Sequence, residues 1–83
     1  MSEEFVKILN IIITEIKVIN ICIRNGNNNE DECIKRKKSE LRGMMICLKN
    51  INTTDLMYTL QEDENGEIGI GYFDKEGVWW KIA

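Results

Sequence analysis

Residues 56–82, LMYTLQEDENGEIGIGYFDKEGVWWKI, are the stretch on which the fold turns. Apolar residues recur there in steps of two: Leu56, Tyr58 and Leu60, then Ile68, Ile70 and Tyr72, then Val78, Trp80 and Ile82. Successive side chains of a strand point to opposite faces, so each trio marks one half-buried strand. Strands are therefore expected at about 56–62, 67–73 and 78–82. The segments between them, Asp63-Glu64-Asn65-Gly66-Glu67 and Asp74-Lys75-Glu76-Gly77-Val78, share the form Asp-x-x-Gly. That form suits a type I turn followed by a left-handed glycine and a bulge. Such turns set Leu60 opposite Ile70, Tyr58 opposite Tyr72, Tyr72 opposite Trp80 and Ile70 opposite Ile82, with every one of these residues on one side. A two-residue turn at Asn65-Gly66 would instead pair Gln61 with Ile70. That slip would send a whole strand face to water, and it is rejected.

The opposite face carries Met57, Thr59 and Gln61, then Gly69, Gly71 and Phe73, then Trp79 and Lys81. Gly69 and Gly71 leave a gap that Trp79, Phe73 and Met57 can lie across. Two readings follow. Trp79 with Phe73 and Met57 forms an exposed aromatic spot of the composition found at interface hot spots, or Trp79 simply roofs the two glycines.

Upstream of the strands, Ser2-Glu3-Glu4 reads as a helix start, a hydroxyl cap followed by carboxylates at the positive end of the dipole. Phe5, Ile8, Leu9, Ile12, Ile16, Ile19 and Ile23 then follow the three-four spacing of a buried helix face, over about residues 3–24. A strand at residues 19–24, which also alternate, is the rival reading. A membrane span is disfavoured because Lys7, Asn10, Glu15, Lys17 and Asn20 interrupt the run. A second apolar strip, Ile11, Val18 and Cys22, needs cover from the next helix or from another copy. Asn25 and Gly26 can close the helix. Asn29 is placed to cap a second helix at about 30–50, whose buried face would be Ile34, Leu41, Met44, Met45, Leu48 and Ile51. Gly43 inside it suggests a close helix contact. The expected fold is α+β: one domain over residues 1–83, a helical hairpin packed on one face of a three-stranded antiparallel meander, ordered α-α-β-β-β.

Composition narrows the function classes. The 83 residues carry a net charge of −3, which disfavours generic nucleic-acid binding by the chain as a whole. The charge is divided, however. Residues 30–50 hold six basic and four acidic groups, and residues 51–83 hold two basic and seven acidic ones. There is no histidine, so neither a His-based triad nor a histidine metal ligand is available. The glycines of the meander do not form a phosphate loop before a helix. Cys22, Cys33 and Cys47 lack a zinc spacing and read as buried or half-buried thiols. No enzyme, cofactor or metal is expected. An odd cysteine count without a signal peptide points to a reducing, cytoplasmic setting. Abundant isoleucine, asparagine and lysine match AT-rich codons and suggest a phage or other mobile element of a low-GC bacterium.

Three functional readings remain. In the first, a small inhibitor or adaptor docks Met57, Phe73 and Trp79 on a larger host protein, with Glu62, Asp63, Glu64 and Glu67 meeting a basic surface on it. In the second, Lys35, Lys38, Arg42 and Lys49 form one face of the second helix and follow a phosphate backbone. In the third, the chain is a structural subunit, a homodimer or larger oligomer packed through Ile11, Val18 and Cys22 or through an edge strand.

Overall fold

Both hairpin turns are built by their aspartates. In the computed structural model, which describes residues 3–26, 31–52 and 54–83, the Asp63 carboxylate accepts the amides of Asn65 (2.9 Å) and Glu67 (3.0 Å). The Asp63 amide donates to the Glu67 carbonyl, and Gly66 donates to the Asp63 carbonyl. Asp74 does the same for Glu76, Gly77 and Val78. Gly66 and Gly77 take φ values of +84° and +80°, the left-handed region that glycine enters without a side-chain clash. These turns set the register of three strands, β1 (Met57–Glu62), β2 (Ile68–Phe73) and β3 (Trp79–Lys81), in the order β1-β2-β3.

The register is the expected one: Tyr58 faces Tyr72, Leu60 faces Ile70, and Tyr72 faces Trp80. Beyond β3 the pairing is bulged. The amides of Ile82 (2.8 Å) and Ala83 (3.3 Å) both donate to the Ile70 carbonyl, and the Ile70 amide returns a bond to Ala83. Two residues thus oppose one, which shortens regular β3 relative to the expected span.

Two helices precede the sheet, α1 (Glu3–Arg24) and α2 (Glu32–Ile51), giving the α-α-β-β-β order. Residues 19–24 are helical, so the isoleucine periodicity of 3.6 outweighs their β propensity. Gly26, with φ +102°, follows the last turn, where Asn25 still donates to the Ile21 carbonyl. The expected caps at Ser2 and Asn29 lie outside the described residues; Asp31 caps α2 by accepting the Cys33 amide at 2.8 Å. Phe5, Ile12, Ile16 and Ile19 of α1 meet Leu41, Met45 and Leu48 of α2 above Tyr58, Ile68 and Ile70. Fully burying a side chain of this kind contributes roughly 1.5–3 kcal/mol, so the four α1 residues supply on the order of 10 kcal/mol before entropy is subtracted.

Polar contacts then fix where the helix layer sits. Ile68 lies opposite Glu62, one step from the turn, in a position whose amide and carbonyl face away from β1. The side-chain amide of Asn20 takes both: the Ile68 amide donates to Oδ1 and Nδ2 donates to the Ile68 carbonyl, each at 2.8 Å. One turn later Arg24 reaches the Glu67 carboxylate at 2.7 Å. Exposed ion pairs of that kind contribute at most about 1 kcal/mol, so Arg24 orients more than it stabilises.

Five expectations need correction. Lys38 is not on an open basic face: it is 7% exposed and bonds the Glu62 carboxylate (2.6 Å) and the Gly66 carbonyl (3.1 Å). Ile34, Lys38, Leu41, Met45 and Leu48 share one buried stripe, and Lys38 occupies the position where that stripe crosses the hairpin turn. Gly43 marks no close contact, since a methyl group there would have nothing within 4 Å. Val78, Trp80 and Ile82 are exposed, because the helices lie over β1 and β2 and leave β3 uncovered. Ile11 and Val18 are exposed as well, so α2 does not cover that strip; Cys33 and Cys47 are exposed rather than buried, with Cys22 half-buried.

Two stability predictions follow from this packing. Asn20→Ala leaves both Ile68 backbone groups without their partner and should cost about 2 kcal/mol, read as a lower urea midpoint at unchanged slope. Gly43→Ala should raise stability by up to about 1 kcal/mol, since it removes only backbone entropy from an exposed helical site.

Candidate functional site

The helix-free face of the sheet carries the one apolar row that the register assembles across all three strands. Met57 pairs with Phe73 and Phe73 with Trp79, so the three side chains stand side by side. Met57 is 62% exposed and Phe73 36%. Trp79 is half-buried for a visible reason. Its indole crosses β2 and donates to the Thr59 hydroxyl of β1 at 3.0 Å. A methyl group built on Gly71 would sit 2.7 Å from the indole and 2.3 Å from the Trp80 carbonyl, so only glycine lets the ring lie flat there. Trp79 therefore roofs the glycines and extends the row at the same time.

The acidic turn is not beside this row. Met57, Phe73 and Trp79 lie at the Asp74–Gly77 end of the sheet, whereas Glu62, Asp63, Glu64 and Glu67 lie at the other, five residues along β1. Five residues of strand span roughly 17 Å. Three of those four carboxylates also have work inside the fold: Glu62 holds Lys38, Glu67 holds Arg24, and Asp63 builds its turn. Glu64 is exposed and makes no such contact among the described residues. The exposed acids closest to the row along the chain are Asp55, two residues before Met57, and Glu76, three after Phe73.

Asp74 has a partner that its counterpart Asp63 lacks. The Trp80 indole donates to Asp74 Oδ2 at 2.7 Å, on the face of β3 that the helices leave open. That bond, with amide bonds from Val78, Glu76 and Gly77, holds the Asp74 carboxyl below its ordinary value of 3.8. An aspartate at a turn start with tryptophan six residues on is the sequence signal for this contact.

The second expected surface changes with Lys38 removed from it. Lys35, Arg42 and Lys49 remain exposed along α2, spaced by two turns each, and Arg36 is exposed beside them. Among the described residues no group of three or more His, Cys, Asp or Glu side chains could hold a metal ion. None of the described helices is long and apolar enough to cross a membrane.

Fold and surface together define a small α+β domain with a helix-free sheet face bearing an apolar row. The chain matches no protein-family model, no curated protein and no solved structure.

The depressed Asp74 value carries a pH prediction. A carboxyl whose folded value is lowered adds stability above its unfolded value, and that contribution is lost as pH falls through the folded one. The Trp80 indole N–H resonance should therefore shift with a midpoint below 3.8, and Asp74→Asn should abolish the step.

Proposed function

We propose that this chain is a protein-binding module without chemistry of its own, docking the helix-free face of its sheet on a larger protein. The observation that carries this reading is the cross-strand row of Met57, Phe73 and Trp79, in which Met57 is 62% exposed although it sits in regular sheet. An exposed methionine and phenylalanine beside a pinned tryptophan combine adaptable and rigid apolar area, the mixture that interface centres use. Asp55 and Glu76 are exposed and lie within three residues of the row along the chain, so the fitting partner presents an apolar patch with cations around it. The source suggested by the codon-linked composition makes a host protein of a low-GC bacterium the natural target, encountered in its cytoplasm. The turn acids Glu62, Asp63 and Glu67 play a smaller part in this reading than the row, since their intramolecular bonds occupy them.

The same geometry decides which variants test it. Trp79→Ala would uncover Gly69 and Gly71 and mix folding with binding, so Met57→Asp and Phe73→Ser are the informative changes. Immobilised protein should retain a partner from a low-GC bacterial extract, and both variants should lose at least ten-fold in retention at unchanged unfolding midpoint. Equal retention by wild type and both variants removes the outer face from consideration. Salt-sensitive capture of a DNA duplex, weakened by neutralising Lys35, Arg42 and Lys49, would instead put the α2 face in charge.

A further inference from the structure

A second surface, on the other side of the molecule, does not depend on the outer-face reading. We propose that the groove between α2 and the free edge of β1 takes an extended segment of another protein as an added strand, in which two acidic residues four apart flank an apolar one.

The edge comes first. β1 is an outer strand of the sheet, and the bonds between Asp63 and Glu67 fix which of its residues face β2. Bonded positions alternate from there, so Gln61, Thr59 and Met57 exchange hydrogen bonds with Gly69, Gly71 and Phe73. The amides and carbonyls of Tyr58 and Leu60 therefore point away from the sheet. At one end this edge is closed, because the Leu56 amide donates to the Thr54 hydroxyl and its carbonyl accepts from Asn52 Nδ2. At the other end the Glu62 side chain is tied to Lys38. Between Leu56 and Glu62 lie four backbone groups in a row, the template for one more strand.

The wall beside the edge selects what that strand carries. Arg42, Met45, Ile46 and Lys49 of α2 line one side of the groove and Tyr58 and Leu60 the other, around a volume of about 420 Å³. Met45 and Leu60 give it an apolar floor, and Ile46 stands 62% exposed at the rim. Arg42 and Lys49 are exposed and lie seven residues apart, which on a helix is about 10.5 Å. In an added strand every second side chain faces α2, and residues four apart are separated by about 13 Å. Two carboxylates at that spacing reach Arg42 and Lys49, and the residue midway between them drops onto Met45 and Ile46.

Charge also argues against a second copy as the occupant. A two-fold pairing of β1 edges would bring α2 beside α2, with Arg42 and Lys49 facing the same cations. A duplex would use the α2 cations without engaging the Tyr58 and Leu60 amides.

The test uses the full chain, isotopically labelled, and a synthetic peptide with the core Glu-Thr-Leu-Thr-Glu, against a control with lysine in place of both glutamates. The acidic peptide should shift the amide resonances of Tyr58 and Leu60 and leave those of Phe73 and Trp79 in place. Its affinity by fluorescence anisotropy should fall at least ten-fold for Arg42→Glu/Lys49→Glu, whose two sites are exposed and leave the core intact. The lysine peptide should bind at least ten-fold more weakly. Equal binding of the two peptides, shifts confined to the outer face, or no shift at all would overturn the proposal. So would self-association that perturbs Tyr58 and Leu60 without peptide, or a DNA duplex binding at Arg42 and Lys49 in place of the acidic peptide.

Discussion

The helix layer keeps its place on the sheet because one side-chain amide imitates a strand. Asn20 gives and receives the two bonds that a neighbouring strand residue would exchange with Ile68. Apolar contact alone is tolerant of sliding, since one isoleucine fits where another fits; a paired donor and acceptor is not. With Asn20 anchored, α1 places Phe5 against Tyr58 (ring centroids 5.4 Å apart), and Tyr58 in turn meets Tyr72 edge-on. Lys38 then ties α2 to the same end of the sheet. The first hairpin turn is thereby held by both helices, through Glu62, Gly66, Glu67 and Ile68, while the second turn is free of them.

Much of this architecture could be read from residue types alone, and for a physical reason. A turn of the Asp-x-x-Gly form has few alternatives, and strand alternation punishes a one-residue slip so heavily that the register of Tyr58, Tyr72 and Trp80 follows from it. Helix α1 was legible for the same kind of reason: seven apolar residues at helical spacing outweigh the β preference of isoleucine. Other features needed the third dimension. Lys38 looked like a surface cation because its partners, Glu62 and Gly66, come from a distant turn. Its neighbours Ile34 and Leu41 did mark it as a stripe position, a signal that charge masked. The openness of β3 depends on how far two helices reach across three strands, which no periodicity records. Of the expected binding residues, the row was legible from alternation, and the internal employment of the turn acids was not.

The two hairpin turns offer an internal comparison. Their backbones are equivalent, with the same aspartate cage and the same left-handed glycine. Their side chains serve different ends. The first spends its carboxylates on Lys38 and Arg24, and its backbone on Asn20. The second turns its aspartate towards the Trp80 indole and presents Lys75 and Glu76 to solvent. Charge that looks clustered along the chain is thus consumed at one end of the molecule and displayed at the other. Along α2, Lys35, Arg42 and Lys49 keep an outward aspect.

The partners of Asn20 and Arg24 lie 48 and 43 residues further along the chain. During synthesis α1 is complete long before β2 exists, and in that interval only α2 can cover its isoleucine face. Until the meander follows, the apolar underside of the helical hairpin has no sheet to cover it. The strands of the sheet pair through local hairpins, whereas the polar contacts that dock α1 on it span more than forty residues of chain.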